Sequence, residues 1–477
     1  MGLKQLNKIF FIGIGGIGMS ALARYFKSMN KKVSGYDKTE TSLTNELESE
    51  GIEVMYSFDE SSFPENIDLV IYTPAVIESD KKIYNFFKNS KLPMIKRSEA
   101  LGIITEELFT VAVAGTHGKT TVTTMIAHIL KDSGFDILAF MGGISANYNK
   151  NIIIPEKNEA ALVVVEADEY DRSFLTLNPD IAVITSMDAD HLDIYRNKET
   201  LEQNFVKFAG KLKQNGRIFI NKKLNIGPIS ALYSMRETGV SLFTYSIDKK
   251  NLFTASPIHE NIEDADFIAT NINKTQNGYK FDFLGNQSIK DINLSVHGLH
   301  NIENATVAIA ITQQLGVEAE KIKAALSEYK GVKRRFEYII RKENLIFIDD
   351  YAHHPSEIRA TINSIRDLYP EKSLTGIFQP HLYSRTRDFA DEFAESLSLL
   401  DELILLDIYP ARELPIPGID SKYLLDKVKI NNKVIYSKEE LLDNIKNHKF
   451  DILLTIGAGD IDKLVLPLKN KLTEYIL

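Results

Sequence analysis

The chain has 477 residues, of which 44% are hydrophobic and 25% charged, with a net charge of −9 and no cysteine. This is the profile of an ordinary globular protein of about three domains, each long enough to bury its own core. The lack of cysteine excludes disulfides, thiolate zinc sites and cysteine nucleophiles, and an acidic chain without a basic stripe argues against a nucleic-acid partner. No apolar run reaches about 18 residues and no signal peptide precedes the first strand, so we expect a cytoplasmic protein without a membrane partner.

The amino-terminal segment predicts a strand, a glycine-rich turn and a helix. The apolar run 9–14 leads into Gly-Ile-Gly-Gly-Ile-Gly at 13–18, and a helical pattern follows at 19–27. Asp37 ends the next strand-like run, where an acidic residue can meet a ribose hydroxyl. The pattern alone is typical of dinucleotide binding, but its physics is only that of a pyrophosphate at a helix N-terminus. A nicotinamide cofactor and another nucleoside diphosphate therefore both stay open at this point.

A second glycine-rich turn lies at 113–121, which reads Val-Ala-Gly-Thr-His-Gly-Lys-Thr-Thr. It follows the apolar run 109–113 and precedes hydrophobic residues at helical spacing. This order of strand, glycine-rich turn and helix is typical of sites that bind a nucleotide triphosphate. Backbone N–H groups of such a turn converge on phosphate, Lys119 can reach the terminal phosphates, and the Thr120 hydroxyl can ligate Mg²⁺. Val113 stands where the strict P-loop pattern has glycine, so the match is to a shorter variant. The predicted ATP-binding residues here are Gly115, Thr116, His117, Gly118, Lys119 and Thr120.

Carboxylates follow two further strand-like runs. Glu166 comes directly after three valines and would be a buried unpaired charge unless a cation met it, so we predict that it holds Mg²⁺. Asp168 and Asp171, a little further on, are interpreted as caps of the following turn. His191 lies among carboxylates at 188–193, after the run 181–185, and a neutral imidazole there could serve a second divalent ion.

Strand-like runs alternate with helical patterns along most of the chain, which predicts doubly wound, mostly parallel α/β sheets. One sheet of about a dozen strands would be unusually wide. We therefore predict three domains, a Rossmann-like domain at 1–107, a P-loop ATPase-type domain at 108–332 and a second Rossmann-like domain at 333–477. Short runs between 240 and 296, with Asn-Gly at 277–278, predict a small antiparallel extension of the middle domain.

The carboxyl-terminal third carries two dense polar clusters at predicted strand ends, 349–355 and 379–387. Because two strand ends of one parallel sheet face the same crevice, their side chains can converge on a small anion such as an amino acid carboxylate. The candidates are His353, His381, Arg385 and Arg387. Arg335, near the predicted domain boundary, could act as a finger on the γ-phosphate of ATP. The motif alone favours the alternative, a solvated charge in a linker.

The ordered motifs resemble those of the Mur ligases, the ATP-dependent amide-forming enzymes of peptidoglycan synthesis, over essentially the whole chain. Within the family they are most similar to members that join L-alanine to UDP-N-acetylmuramate. The segments are Gly-Ile-Gly-Gly-Ile-Gly-Met-Ser at 13–20, Gly-Thr-His-Gly-Lys-Thr-Thr at 115–121, Glu-Ala-Asp-Glu at 166–169, Asp-His-Leu-Asp at 190–193, His-Asn-Ile-Glu-Asn-Ala at 300–305, Arg-Phe-Glu at 335–337, Asp-Asp-Tyr-Ala-His-His-Pro at 349–355, Phe-Gln-Pro-His at 378–381 and Ala-Arg-Glu at 411–413.

The resemblance implies a three-substrate ligase that uses ATP, UDP-N-acetylmuramate and L-alanine, with two Mg²⁺ ions or with Mn²⁺ in their place. It implies that the amino-terminal turn binds a UDP-sugar rather than a nicotinamide, through Gly15, Gly16, Gly18, Ser20, Asp37 and Thr73. It puts Thr120 and Glu166 on one metal ion and His191 on the other. The remaining ATP contacts would be His300 and Asn304 at the adenine, Arg335 at the phosphates and Asp350 at the ribose.

The same resemblance implies an L-alanine site formed by Tyr351, His353, His381 and Arg385. Position 382 is Leu where many relatives have Arg, so Arg385 is expected to bear more of the carboxylate recognition. We expect Lys119, Arg335 and His353 to act in catalysis. The general base for the amine stays open between His353 and a phosphate oxygen.

Several alternatives remain at this point. A recycling ligase of the same fold would accept a preformed tripeptide, and a P-loop regulatory ATPase would lack ligase chemistry. Folylpolyglutamate synthase lacks an amino-terminal UDP domain, and a nicotinamide dehydrogenase would leave the P-loop unexplained. The oligomeric state stays open between monomer and homodimer.

Overall fold

The computed structural model describes residues 5–60, 63–157, 161–188, 197–224, 239–248, 265–275, 278–411 and 413–476. The chain divides into two compact units, Met1–Gly331 and Val332–Leu477. The division falls at the predicted boundary near residue 332. The boundary predicted near residue 107 lies inside the first unit, between two separate sheets, and stays a prediction.

The first sheet of unit 1 is parallel throughout, with strand order β3-β2-β1-β4-β5. Its strands are β1 (Lys8–Ile12), β2 (Lys32–Tyr36), β3 (Glu53–Met55), β4 (Leu69–Tyr72) and β5 (Met94–Lys96). The helices around it are α1 (Ile17–Ser28), α2 (Ser42–Ser49), α3 (Ala75–Ser79), α4 (Lys81–Asn89) and α5 (Arg97–Glu106). The first glycine-rich turn therefore lies at the carboxyl end of the central strand β1, where α/β sheets bind ligands.

The second sheet of unit 1 has ten strands in the order β15-β14-β13-β12-β11-β10-β6-β9-β7-β8. Its strands are β6 (Phe109–Ala114), β7 (Ile137–Phe140), β8 (Ile152–Ile153), β9 (Leu162–Glu166), β10 (Ile181–Ile184), β11 (Arg217–Asn221), β12 (Ser241–Ile247), β13 (Phe267–Thr275), β14 (Gly278–Leu284) and β15 (Ile289–Leu294). Its helices are α6 (Lys119–Asp132), α7 (Lys198–Ala209), α8 (Leu299–Gln314) and α9 (Ala319–Glu328), with a 3-10 helix at Tyr170–Thr176. The P-loop strand β6 is central, between β9 and β10.

The antiparallel extension is part of this same sheet and comprises β13, β14 and β15. Residues 242–245, which the sequence placed in the extension, instead belong to β12, a strand parallel to both of its neighbours. A change from parallel to antiparallel pairing is not visible in local composition, since each short apolar run here fits either arrangement.

Unit 2 holds a six-stranded sheet in the order β16-β17-β21-β18-β19-β20, parallel except for the edge strand β16. Its strands are β16 (Glu337–Lys342), β17 (Leu345–Asp350), β18 (Leu374–Phe378), β19 (Glu402–Leu405), β20 (Asn432–Ile435) and β21 (Ile452–Ile456). Its helices are α10 (Pro355–Leu368), α11 (Tyr383–Asp388), α12 (Ala390–Leu397), α13 (Ser421–Lys427), α14 (Lys438–Asn444) and α15 (Asp462–Ile476), with a 3-10 helix at Ile445–Asn447.

The central strands are apolar on both faces because helices cover both sides of each sheet. Val163, Val164 and Val165 of β9 are fully buried, as are the four residues 181–184 of β10. The predicted α/β fold class is therefore confirmed, with sheets whose carboxyl ends carry the polar motifs. No helix in the part of the chain that the structure describes is long and apolar enough to cross a membrane.

Candidate active site

The second glycine-rich turn joins β6 to α6 through two residues with positive φ. Gly115 has φ +137° and Gly118, at the start of α6, has φ +82°. A Cβ on Gly115 would lie 2.0 Å from the Thr185 hydroxyl oxygen, so only glycine fits this position. The turn is thereby closed tightly onto the amino terminus of a helix of 14 residues, whose free N–H groups and dipole favour a bound anion.

Residues after the neighbouring strand β10 hold this turn in place. Ser186 accepts a hydrogen bond from the His117 backbone N–H at 2.7 Å, and its hydroxyl lies 2.9 Å from that of Thr116. Thr185 donates to the Ala114 carbonyl at 3.1 Å. Sequence reasoning did not single out either hydroxyl residue. Their position directly after β10, the strand next to β6, was the feature of the sequence that could have identified them.

Lys119 forms a buried ion pair with Glu169. Its ammonium nitrogen lies 2.9 and 2.7 Å from the two Glu169 oxygens and donates to the Gly115 carbonyl at 2.6 Å. The Glu169 side chain is fully buried and that of Lys119 is 13% exposed. Burial alone lowers the pKa of Lys119, but Glu169, together with Asp168 and Glu166, raises it above the ordinary value. Lys119 is therefore a fixed cation at the turn.

The two other acids that the sequence set aside as turn caps do have local partners. Asp168 accepts from the Tyr170 N–H at 3.0 Å, as expected for a cap, and also from Arg97 at 3.2 Å. Asp171 lies 3.2 Å from the ammonium of Lys96. Glu169, which the sequence analysis did not assign, is the acid that contacts the P-loop lysine.

Thr120 and Glu166 offer the oxygen ligands that Mg²⁺ prefers. Thr120 lies in the first turn of α6, and Glu166 ends β9 opposite Val113 in the strand that leads into the turn. Glu166 is partly exposed and accepts a hydrogen bond from the Gly142 N–H at 2.9 Å. Across the described residues, no group of three or more acids and histidines could hold a metal alone. The pair fits an ion that takes its other ligands from phosphate and water.

The proposed second metal ligand, His191, lies outside the described residues. Just before that gap, the Asp188 N–H donates to the Thr116 hydroxyl at 3.0 Å. The Asp188 carboxylate lies 3.6 Å from the His117 ring nitrogen Nε2. The segment that leads to His191 thus begins against the P-loop.

Helix α8 brings Asn304 to the P-loop. A Cβ on Gly118 would lie 2.9 Å from the Asn304 side-chain oxygen, and the Asn304 amide donates to Asn301 at 3.2 Å. His300 lies one turn earlier, with its imidazole against Gly298. Both predicted adenine contacts therefore lie on one helix beside the turn, and their role stays a prediction.

The amino-terminal glycine turn is built differently. The Gly15 N–H donates to Asp37 at 2.8 Å, so this carboxylate braces the turn. Thr73 follows β4, and its methyl group would lie 2.7 Å from a Cβ on Gly13. Ser20 is fully buried; its hydroxyl donates to the Ile17 carbonyl at 2.9 Å and accepts from Asn151 at 2.9 Å.

In unit 2, strained backbone flanks Arg335. Arg334 and Phe336 both have positive φ, +60° and +52°, a conformation that costs about 1 kcal/mol or more for non-glycine residues. Asp350 stabilises it, because one of its oxygens accepts from the Phe336 N–H at 2.8 Å and the other from the Ala352 N–H at 2.7 Å. Burial raises the pKa of Asp350 to about 6 against the opposing effect of Arg335.

The two arginines of this segment differ in availability. Arg334 is paired with the buried Asp349 at 3.1 Å and donates to the Gly457 carbonyl at 2.7 Å. The Arg335 side chain is 37% exposed and lies 3.9 Å from the Glu357 carboxylate. Arg335 is therefore the better placed of the two to meet a ligand.

The predicted amino acid pocket is assembled within unit 2. The Tyr351 ring lies 5.3 Å from that of His353, and the His353 ring lies 6.3 Å from that of His381. Arg385 is close enough to lower the pKa of His353. All four predicted residues thus come together at the ends of β17 and β18. Arg387, also a candidate, pairs instead with its neighbour Asp388 at 2.7 Å on the surface.

The surroundings of His353 favour a neutral imidazole. Its Nδ1 lies 3.0 Å from the Tyr351 carbonyl oxygen; because that oxygen can only accept, Nδ1 is assigned the proton and Nε2 is left unprotonated. Burial lowers the pKa of His353, Glu357 opposes the shift, and Arg385 adds to it.

Leu382 follows His381 in a backbone conformation unusual for a leucine, with φ +72° and ψ +135°. Its N–H donates to the Tyr409 carbonyl at 3.0 Å, and the Tyr409 ring is stacked on that of His381 at 5.7 Å. Sequence analysis did not identify Tyr409, which is far from His381 along the chain. Arg412, in the Ala-Arg-Glu segment, lies outside the described residues.

Family models match almost the whole chain. The Mur ligase family, catalytic domain, matches residues 8–108; the Mur ligase middle domain matches 113–312; and the Mur ligase, glutamate ligase domain, matches 334–459. These three segments contain both glycine turns and the pocket of unit 2.

Relatives and solved structures agree with the family models. The chain is 45% identical to the UDP-N-acetylmuramate–L-alanine ligase of Flavobacterium johnsoniae, with all of both chains covered, and 46% identical to that of Flavobacterium psychrophilum over 99% of this chain and all of the relative. Its structure is similar to the UDP-N-acetylmuramate-alanine ligase of Thermotoga maritima, with a TM-score of 0.79 and 26% identity over 98% of this chain and 99% of the other. It shares its fold with a murein peptide ligase of Psychrobacter arcticus, with a TM-score of 0.71 and 22% identity over 97% and 99%. The chain belongs to the Mur ligase family.

Proposed function

We propose that this chain is an ATP-dependent ligase that joins L-alanine to the lactyl carboxylate of UDP-N-acetylmuramate, in the synthesis of peptidoglycan precursors. The full-length similarity to proteins named as such ligases supports this assignment. The structural observation that carries it is the fixed Lys119 cation at a P-loop, in a unit that also contains a second glycine turn. ATP and a sugar nucleotide are cytoplasmic substrates, so we propose that the protein acts in the cytoplasm.

The chemistry requires activation, because a carboxylate and an ammonium do not condense in water. A lactyl carboxylate oxygen attacks the γ-phosphorus of ATP, the bond to the bridging oxygen breaks, and ADP leaves. The amine of L-alanine then attacks the acyl carbon of the resulting acyl phosphate. Inorganic phosphate leaves with the oxygen that came from the carboxylate. The alanine nitrogen loses two protons in all, one when its ammonium becomes the attacking amine and one on the way from the amine to the amide.

The proposed ATP site uses the P-loop amides and Lys119 for the phosphates and Asn304 and His300 for the adenine. Arg335 would add a second cation at the phosphates and Asp350 would bind the ribose. Positioned cations of this kind supply catalysis by offsetting the repulsion between two anionic reactants. Thr120 and Glu166 would hold Mg²⁺, which when bound neutralises charge on the terminal phosphates; His191 is proposed for a second ion.

The proposed sugar-nucleotide site is the amino-terminal turn. Its free backbone N–H groups at the start of α1 suit a diphosphate, and Asp37 braces the turn through Gly15. The full set that we propose for this substrate is Gly15, Gly16, Gly18, Ser20, Asp37 and Thr73.

The proposed L-alanine site is the pocket of Tyr351, His353, His381 and Arg385. Arg385 would bind the alanine carboxylate, for which a guanidinium is suited. His353 is the proposed general base, because its unprotonated Nε2 can accept a proton from the amine near neutral pH.

Phosphate release tests the proposal. With Mg-ATP present, phosphate should appear only when UDP-N-acetylmuramate and L-alanine are both added, and mass spectrometry should find the amide product in equal amount. Glycine, L-serine and a muramyl tripeptide serve as alternative acceptors. Phosphate release that needs neither substrate would indicate a regulatory ATPase, and a strong preference for the tripeptide would indicate a recycling ligase.

A further inference from the structure

Arg97 lies between the two glycine-turn regions of unit 1. The terminal nitrogen Nη1 of Arg97 would lie 2.4 Å from a Cβ placed on Gly18, which is in the first turn of α1. Its other terminal nitrogen donates to Asp168 at 3.2 Å, in the segment that follows β9. The Arg97 side chain is 26% exposed. One guanidinium therefore contacts the helix start at the first turn and the acidic segment beside the second.

The position of Arg97 is fixed by its surroundings. It is the first residue of α5, and this helix packs against the 3-10 helix at 170–176. The Thr176 hydroxyl donates to the Ser98 carbonyl at 2.9 Å, and a Cβ on Gly102 would lie 2.7 Å from the Thr176 carbonyl oxygen. The guanidinium is thus presented by two packed elements rather than by a free loop.

The first turn needs a cation from elsewhere in the chain. Residues 13–20 read Gly-Ile-Gly-Gly-Ile-Gly-Met-Ser and contain no basic side chain, so the segment offers a diphosphate backbone N–H groups and a serine hydroxyl but no cation. The planar fork of an arginine binds phosphate oxygens through two parallel N–H bonds. Arg97 is the guanidinium that the structure brings against this turn.

We propose that Arg97 binds the diphosphate of the sugar nucleotide at the first glycine turn and that Asp168 positions its guanidinium for this contact; the inference rests on the proposed function. Asp168 also contributes to the negative charge that raises the pKa of Lys119.

Calorimetric titration of the full chain with uridine, UDP and UDP-N-acetylmuramate tests the assignment. In Arg97→Gln, the affinity for UDP and UDP-N-acetylmuramate should fall about 10- to 100-fold, because a charge-assisted contact is lost. The affinity for uridine, which lacks phosphate, should stay within about twofold. A damaged fold would weaken all three ligands, so the ratio of UDP to uridine affinity separates recognition from structure.

Two further variants sharpen the test. Lys96→Gln removes the same charge from the adjacent residue, whose ion pair with Asp171 is half-exposed, and should leave the UDP to uridine ratio unchanged. Arg97→Lys keeps the charge but not the fork and should recover only part of the lost affinity. Arg97→Lys can also replace Arg97→Gln in the titrations if the glutamine variant does not fold.

Asp168→Asn tests the positioning role. It should weaken UDP binding several-fold when Arg97 is present and have no effect in the Arg97→Gln background, since coupled residues are not additive. Unchanged UDP binding in both Arg97 variants would overturn the inference about Arg97. The proposed function would still stand in that case, provided that the wild-type chain forms product. A wild-type chain that binds no UDP-N-acetylmuramate would instead defeat the proposed function itself. Full additivity would overturn the role of Asp168.

Discussion

The two glycine turns of unit 1 share one construction and differ in where their charge comes from. Each joins a central parallel strand to the amino terminus of a helix. The P-loop carries its own cation, Lys119, one residue after Gly118, whereas the amino-terminal turn carries none and meets Arg97 from another helix. The backbone of such a turn suits phosphate in general, so the placement of the cations is what distinguishes the two sites that we propose.

The largest loss of activity is expected from removing Lys119, the cation that the P-loop itself carries. Lys119→Met should lower turnover by about 10³-fold, as for other fixed charges at a transferring group. It should also lower the free energy of unfolding by about 3–5 kcal/mol, because Glu169 is left buried without its partner. Steady-state phosphate release and urea unfolding measure the two effects.

The double variant Lys119→Met with Glu169→Gln is the control for that experiment. It removes the orphaned charge, so it should regain much of the stability while activity stays low. If instead the single variant turned over at the wild-type rate, the role of Lys119 in phosphate binding would be excluded.

The second prediction compares the backbones of the turns. Gly115→Ala should destabilise the chain by about 3 kcal/mol or more, since it adds strain at φ +137° and a contact of 2.0 Å with Thr185. Gly16→Ala should be better tolerated, because its φ is −66° and a Cβ there meets nothing closer than 3.5 Å. Gly134, with φ +90° and no atom within 4 Å, provides the control for strain without a clash. Equal losses at Gly115 and Gly134 would show that the close approach of Thr185 is unimportant.

A third prediction concerns His353 of unit 2, which we propose as a neutral base. His353→Ala should lower kcat about 10²-fold near pH 7 if the ring accepts the amine proton. Because burial lowers the pKa of His353, the acid limb of the wild-type pH–rate profile should lie below the ordinary histidine value. Glu357→Gln removes the charge that opposes this shift and should move the limb to still lower pH. A profile that keeps its acid limb in His353→Ala would assign the base elsewhere.

The smallest loss of stability is expected from replacing Asp37, which accepts a hydrogen bond from the Gly15 N–H in the amino-terminal turn. Asp37→Ala removes the acceptor of the Gly15 N–H and should cost about 2 kcal/mol of stability, the range for hydrogen bonds to charged groups. Asp37→Asn keeps an acceptor oxygen and should cost less. Thermal unfolding with and without UDP would show whether bound ligand restores the turn. A loss in UDP affinity without a loss in stability would place Asp37 on the nucleoside, as the sequence predicted.

Much of the fold was readable from sequence because its signals are local. The predicted runs 109–113 and 181–185 match β6 (Phe109–Ala114) and β10 (Ile181–Ile184) to within one residue. Each is a mainly apolar run that glycine or polar residues follow. The three-residue strand β5 and the edge strand β16 were not predicted, since one is too short to show a period and the other mixes polar and apolar residues on an exposed edge.

The predictable part of the site has the same origin. The P-loop residues and the cluster of unit 2 were found because each forms a compact motif beside a strand. Glu169, Ser186, Arg97 and Tyr409 were missed because their contacts join distant parts of the chain. The positive φ values at Arg334, Phe336 and Leu382 are likewise imposed by tertiary hydrogen bonds and leave no trace in residue type.

Oxygen transfer tests the central claim, that the carboxyl group is phosphorylated at the P-loop before the amide forms. UDP-N-acetylmuramate labelled with ¹⁸O in its lactyl carboxylate is converted with ATP and unlabelled L-alanine, and the released phosphate is analysed by mass spectrometry. The account predicts that each phosphate carries one oxygen from the carboxylate. Phosphate without label, alongside normal amide formation, would contradict it.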